Sequence, residues 1–99
     1  MNVQINSVSF KADQKLQDFI KGKIEKLLRF YNYAIGSEVT LKVDANEKPD
    51  NKIVEIRFLV KGNDLFASKQ CSTFEEAVDQ TIDALKRQID KRKEKLVKK

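Results

Sequence analysis

A chain of 99 residues with 40% apolar and 35% charged side chains has material for one core and no second, and is too charged for a bilayer. With a single cysteine, Cys71, and no histidine, it can form no internal disulfide, and imidazole catalysis, Ser-His or Cys-His nucleophiles and histidine-ligated metals are excluded. The net charge of +5 is concentrated: residues 84–99 hold eight basic residues against Asp90 and Glu94, a local +6, an asymmetry that points to a polyanionic partner.

Met1-Asn2-Val3 opens no signal peptide, so a soluble, cytoplasmic single domain over 1–99 is expected. Val3, Ile5, Val8 and Phe10 predict a short first strand with imperfect alternation. Asp13 suits a helix N-cap. After it Leu16, Phe19, Ile20, Ile24, Leu27, Leu28 and Tyr31 recur at three- and four-residue spacing, which predicts an amphipathic helix over roughly 13–32, with Gly36 as a terminator. Val39, Leu41 and Val43 alternate with Glu38, Thr40, Lys42 and Asp44 as a second strand. A polar stretch with Pro49, 45–51, leads to a third strand over 53–60, in which Val54, Ile56, Phe58 and Val60 face one way. Lys61-Gly62-Asn63-Asp64 predicts a tight turn into a fourth strand over 65–71, completing an antiparallel meander. Thr73 and Glu76 fit a capping box for a long helix, whose stripe is Phe74, Ala77, Val78, Thr81, Ile82, Leu85, Gln88 and Ile89. Past Ile89 the stripe thins to Leu96, so the helix should project beyond the sheet or fray. Two helices on one face of a four-stranded sheet bury every stripe: an α+β two-layer sandwich of order β-α-β-β-β-α, with a basic tail from about 90–99.

Lys15, Lys21, Lys23, Lys26 and Arg29 on the first helix, and Lys86, Arg87, Lys91, Arg92, Lys93 and Lys95 on the second, are read as lying off the apolar stripes. Side by side, the helices would merge them into one positive surface that takes phosphates by counterion release, which needs charge density and no motif. A solubilising face explains the first helix as well, because Asp13, Asp18 and Glu25 offset half its charge. The end of the second carries more charge than solubility needs. A membrane-surface tail would want Trp and more apolar residues on one side. Glu75, Glu76 and Asp79, in the first turns of the second helix, suit the positive end of its dipole, and the pair Asp79 and Asp83 is read the same way rather than as a metal or acid–base site. Asp79 and Asp83, one turn apart, are also placed to meet RNA hydroxyls or to order nearby basic side chains. Cys71 reads as a packed structural thiol, and Phe30, Tyr31 and Tyr33 as a staple between helix and sheet rather than a stacking platform. Gly22, between Lys21 and Lys23, would permit close approach of a phosphate backbone at a cost in helix propensity. No glycine-rich phosphate loop or dinucleotide motif is present, and no cofactor or metal is expected.

The element order, the opening Val3-Gln4-Ile5-Asn6-Ser7 and the segment Lys23-Ile24-Glu25-Lys26-Leu27 resemble the ribosome hibernation promoting factor family, which includes the ribosome-associated inhibitor, protein Y. The most specific match is the second helix, at Phe74, Ala77-Val78-Asp79, Ile82-Asp83, Leu85, Arg87-Gln88-Ile89 and Lys91, Lys93 and Lys95; Ala67-Ser68 matches as well. Ala84 departs from a usual Lys, Phe74 from a common Tyr and Ser72 from an acidic residue; the missing Lys weakens one phosphate contact, with Lys86 as substitute. The resemblance implies a stationary-phase stress factor that binds small-subunit rRNA in the channel of messenger and tRNA, and blocks initiation sterically. Ending just after the second helix, the chain resembles the family's short form, without the domain by which long forms pair ribosomes.

The expectation is a non-enzymatic, RNA-binding inhibitor of translation, monomeric off the ribosome, with no membrane or small-molecule substrate. Its rRNA-binding residues would be Lys21, Lys23, Lys26, Arg29, Lys86, Arg87, Lys91, Arg92, Lys93 and Lys95. A double-stranded-RNA module is an alternative, but it needs a basic start to the second helix, where Glu75, Glu76 and Asp79 stand. A regulator that docks on an acidic protein is the other.

Overall fold

The computed structural model describes residues 2–8, 10–31, 34–45 and 49–97, the side chains of Asn2 and of 93–97 excepted. The readings at Tyr33 and Leu96, and those for the side chains of Lys93 and Lys95, lie outside the described residues.

The elements are β1 (Asn2–Ser7), α1 (Gln14–Phe30), β2 (Ala34–Val43), β3 (Lys52–Val60), β4 (Leu65–Cys71) and α2 (Phe74–Val97). They form a four-stranded sheet in the order β1-β2-β3-β4, with β1 parallel to β2 and the other pairs antiparallel. A parallel pair needs a crossover, which α1 supplies, whereas the meander needs only turns. Both helices pack on one face, so the fold is the α+β two-layer sandwich that the order of stripes predicts.

Asp13 caps α1: its extended backbone lets a carboxylate oxygen accept the Leu16 N–H at 2.8 Å. The helix stops at Tyr31, buried and extended, whose N–H donates to the Leu27 carbonyl at 3.0 Å. Gly36 therefore does not terminate the helix. It lies inside β2, beside a register shift between Ala34 and Gly36. The first strand is also shorter than its apolar residues suggest. It ends at Ser7, Val8 is exposed, and Phe10 leaves the sheet to stack on Phe74 with ring centroids 5.1 Å apart.

Ile20, Ile24 and Leu27 of α1, Val78, Leu85 and Ile89 of α2, and Val39, Leu41, Val54, Ile56 and Phe58 of the sheet are fully buried together. Among the described residues the polar side chains of Thr81 and Ser37 are buried as well. Thr81 donates to the Ala77 carbonyl at 2.6 Å, while Ser37 Oγ finds no hydrogen-bond partner among the described residues.

At the start of α2 the Glu76 N–H donates to Thr73 Oγ1 at 3.1 Å, and the Glu76 carboxylate accepts from the Ser72 hydroxyl at 3.3 Å. Thr73 thus caps the helix, and Ser72 engages the side chain that a capping box would aim at the Thr73 amide. The β3–β4 turn closes through Gly62, at φ +105°, and through Asp64, which accepts the Val60 N–H at 3.1 Å. Gln88 donates to the Phe66 carbonyl and Arg92 to the Asn63 carbonyl, each at 2.8 Å, tying α2 to the edge strand and its turn. Arg92 is thus half-buried and not off the stripe, because seven residues bring it to within about 20° of Leu85 around the helix. Beyond it α2 stays helical to Val97, past the end of the sheet, and the molecule measures 49 Å along its longest axis against 25 and 19 Å.

Candidate nucleic-acid interface

The stripes that seat α1 and α2 on the sheet also fix which flanks of the two helices meet. Between them runs a groove of about 380 Å³, lined by Lys23, Lys26, Leu27, Asp79, Ile82, Asp83 and Lys86. Leu27 and Ile82 are core residues and form its floor; the charged side chains form its walls.

Lys23 is held in place. Its Nζ lies 3.0 Å from Asp79 Oδ1 across the helix junction and 5.4 Å from the centre of the Phe19 ring. With 35% and 52% of the two side chains exposed, solvent screens the ion pair, which contributes at most about 1 kcal/mol. Its main effect is to position one ammonium group on the groove wall.

Some of the sequence-predicted site residues line hollows in the surface and some do not. Lys23, Lys26 and Lys86 meet in the interhelical groove. Lys91 and Arg92 line a separate hollow of about 250 Å³ with Leu65 and Gln88, on the β4 side of α2. Lys21, Arg29 and Arg87 are exposed and line neither; Lys21 stands about 200° around α1 from Lys23. Arg92 donates to the Asn63 carbonyl, so its first role is structural. Phe19, which the apolar stripe marks as core alone, also carries the Lys23 cation. Of the two acidic residues one turn apart, Asp79 orders a basic side chain as the spacing allows.

The remaining chemistry is sparse. Burial, reinforced by the nearby Glu76 and Asp50 carboxylates, pushes the Cys71 thiol above its ordinary pKa, although Lys69 opposes the shift. A protonated, buried thiol is a poor nucleophile. Among the described residues no group of three or more Cys, Asp or Glu is placed to hold a metal ion, and no helix is long and apolar enough to cross a membrane.

Known proteins are similar to this chain in sequence and in fold. Over 96 residues the chain is 28% identical to the ribosome hibernation promoting factor of Klebsiella oxytoca, covering 97% of both chains. A ribosomal subunit interface protein from Coxiella burnetii superposes with a TM-score of 0.82 at 16% identity, covering 94% of this chain and 98% of that one. The N-terminal domain of Thermus thermophilus Protein Y superposes with a TM-score of 0.77 at 17% identity, covering 92% and 98%. Residues 3–97 match the model of the family described as sigma 54 modulation protein / S30EA ribosomal protein. With 3–97 of its 99 residues matched, the chain belongs to that family.

Proposed function

We propose that this protein is a ribosome hibernation factor that binds small-subunit rRNA in the messenger and tRNA channel and inhibits translation in stationary phase or stress. The observation that carries the reading is the convergence of Lys23, Lys26 and Lys86, from two helices, on one groove in a chain of this family. The names of its relatives, a ribosome hibernation promoting factor and a ribosomal subunit interface protein, support the ribosome as partner. In this reading the lysines exchange counterions for rRNA phosphates, and the bound domain obstructs the channel by volume alone, without a cofactor or a chemical step. The factor works in the cytoplasm as a single domain over 1–99, monomeric off the ribosome.

Sedimentation of the purified protein with small ribosomal subunits, paired with cell-free translation, tests this. Co-sedimentation with the small subunit and inhibition of translation in the same concentration range are expected. Sedimentation with the large subunit alone, or binding without inhibition, would remove the channel-blocking role. Failure to bind ribosomes while retaining an acidic protein from solution would favour the docking regulator instead.

A further inference from the structure

A surface built only to gather phosphates gains from uniform positive charge, and each carboxylate within it weakens the attraction. The interhelical groove holds two. Asp79 is accounted for by its pairing with Lys23 at 3.0 Å. Asp83 is not: it is exposed on the wall of the same groove, and it accepts no hydrogen bond and forms no ion pair among the described residues. Lys26 and Lys86 line the groove with it, and Arg87 follows one turn along α2, yet none of them engages it.

We infer that this groove takes a single unpaired guanine nucleotide of the bound RNA, with Asp83 reading the base and Lys26 and Lys86 holding the adjoining phosphates; the inference rests on the RNA-binding reading above. An ionised carboxylate only accepts hydrogen bonds, so its partner must present donors. The Watson–Crick edge of guanine presents two side by side, N1–H and N2–H, which match the two carboxylate oxygens. Uracil presents one N–H between two carbonyls that repel the carboxylate, and adenine and cytosine each present a single amino group on that edge. Proteins read RNA sequence on splayed, unpaired bases in this way, because the grooves of a duplex hide the edges. The space fits the assignment: about 380 Å³ lies near the lower end of small-ligand sites and suits one nucleotide, not a duplex. The apolar floor of Leu27 and Ile82 keeps water off one side of the site, which strengthens the hydrogen bonds above it.

The test compares a short oligouridine with the same strand carrying one central guanosine, by fluorescence anisotropy at low salt, for wild type and Asp83→Asn. Wild type should bind the guanosine strand about tenfold more tightly, the discrimination typical of one bidentate base contact. Asp83→Asn, which has one acceptor and one donor in place of two acceptors, should lose that preference while binding oligouridine at least as well as wild type. Pure electrostatics predicts instead no preference in wild type and an equal gain for both strands when the negative charge is removed. That parallel gain, or equal binding of the two strands by wild type, would overturn the guanine assignment. With steep salt dependence retained, either result would leave the RNA-binding reading standing. Failure of wild type to bind either strand would overturn the guanine assignment, whereas the RNA-binding reading stands or falls on sedimentation with the small subunit.

Discussion

Single residues show what the core tolerates. Ser37 faces the interior of β2, between Val3 and Phe58 in the register, with its hydroxyl unpartnered among the described residues. A buried, unsatisfied hydroxyl costs about 1–3 kcal/mol, whereas the methyl of alanine costs only a small loss of packing. Ser37→Ala should therefore leave stability unchanged or raise it by up to about 1 kcal/mol in a denaturant titration. A loss of that size would show that the hydroxyl has a partner. Cys71 gives a dependence on pH. Its folded-state pKa is raised, chiefly by burial, so the folded protein holds the thiol proton more tightly than the unfolded chain. That contribution is complete below the unfolded thiol value, about 8.5, and is lost as pH rises through the higher folded value. Between neutral and alkaline pH, the Tm of wild type should fall further than that of Cys71→Ala. Parallel curves would show that the thiol is solvated in the native state. A thiol reagent at neutral pH should likewise modify Cys71 slowly in the native protein and rapidly in denaturant.

At the scale of elements, what periodicity encodes was legible and what tertiary contact decides was not. Val54, Ile56, Phe58 and Val60 alternate in the chain and are all buried in β3, and Asp13 caps α1 where its residue type foretold. The ends of elements depend on neighbours. The first strand stops at Ser7 because Phe10 finds Phe74, and α1 stops before Gly36 because the chain enters β2 at Ala34. The same distinction separates two residues of α2. Leu85 is fully buried against the sheet, so Leu85→Ala should cost about 2–5 kcal/mol, as filled core sites do. Charge alone marks Arg92 as a phosphate ligand, yet its guanidinium braces the β3–β4 turn through Asn63. Arg92→Ala should cost about 0.5–1.5 kcal/mol, the net value of one hydrogen bond, and lower the Tm by several degrees. Lys91→Ala, with no such bond among the described residues, should leave the Tm in place. Equal Tm values for the two variants would return Arg92 to the purely ligand-facing set.

For the whole molecule, composition revealed how much positive charge there is but not where it meets. The local +6 of residues 84–99 can be counted in the sequence, but Lys23 and Lys86 stand 63 positions apart and share a groove only because both stripes seek one sheet face. The adjacency of α1 and α2 is a property of the fold, and no spacing within either helix announces it. This partition yields a comparison of two sets of charges. Lys23, Lys26 and Lys86 converge in the groove, whereas Arg87 and Lys91 lie outside it on α2. None of the five is buried, and among the described residues only Lys23 pairs with a carboxylate, the screened Asp79, so neither set should lower stability by more than about 1 kcal/mol. If the groove is the RNA site, changing its three lysines to Ala should weaken small-subunit binding at least about tenfold, which asks only roughly 1.4 kcal/mol of three charge-assisted contacts. The slope of log K against log salt should also become shallower by about 2, at roughly 0.7–0.9 for each phosphate that is no longer neutralised. Arg87→Ala with Lys91→Ala should weaken binding less, because those charges act from the rim. Should the double variant lose more affinity and more slope than the groove triple, the phosphate track would run along the outer ridge of α2, with the groove serving only to join the helices.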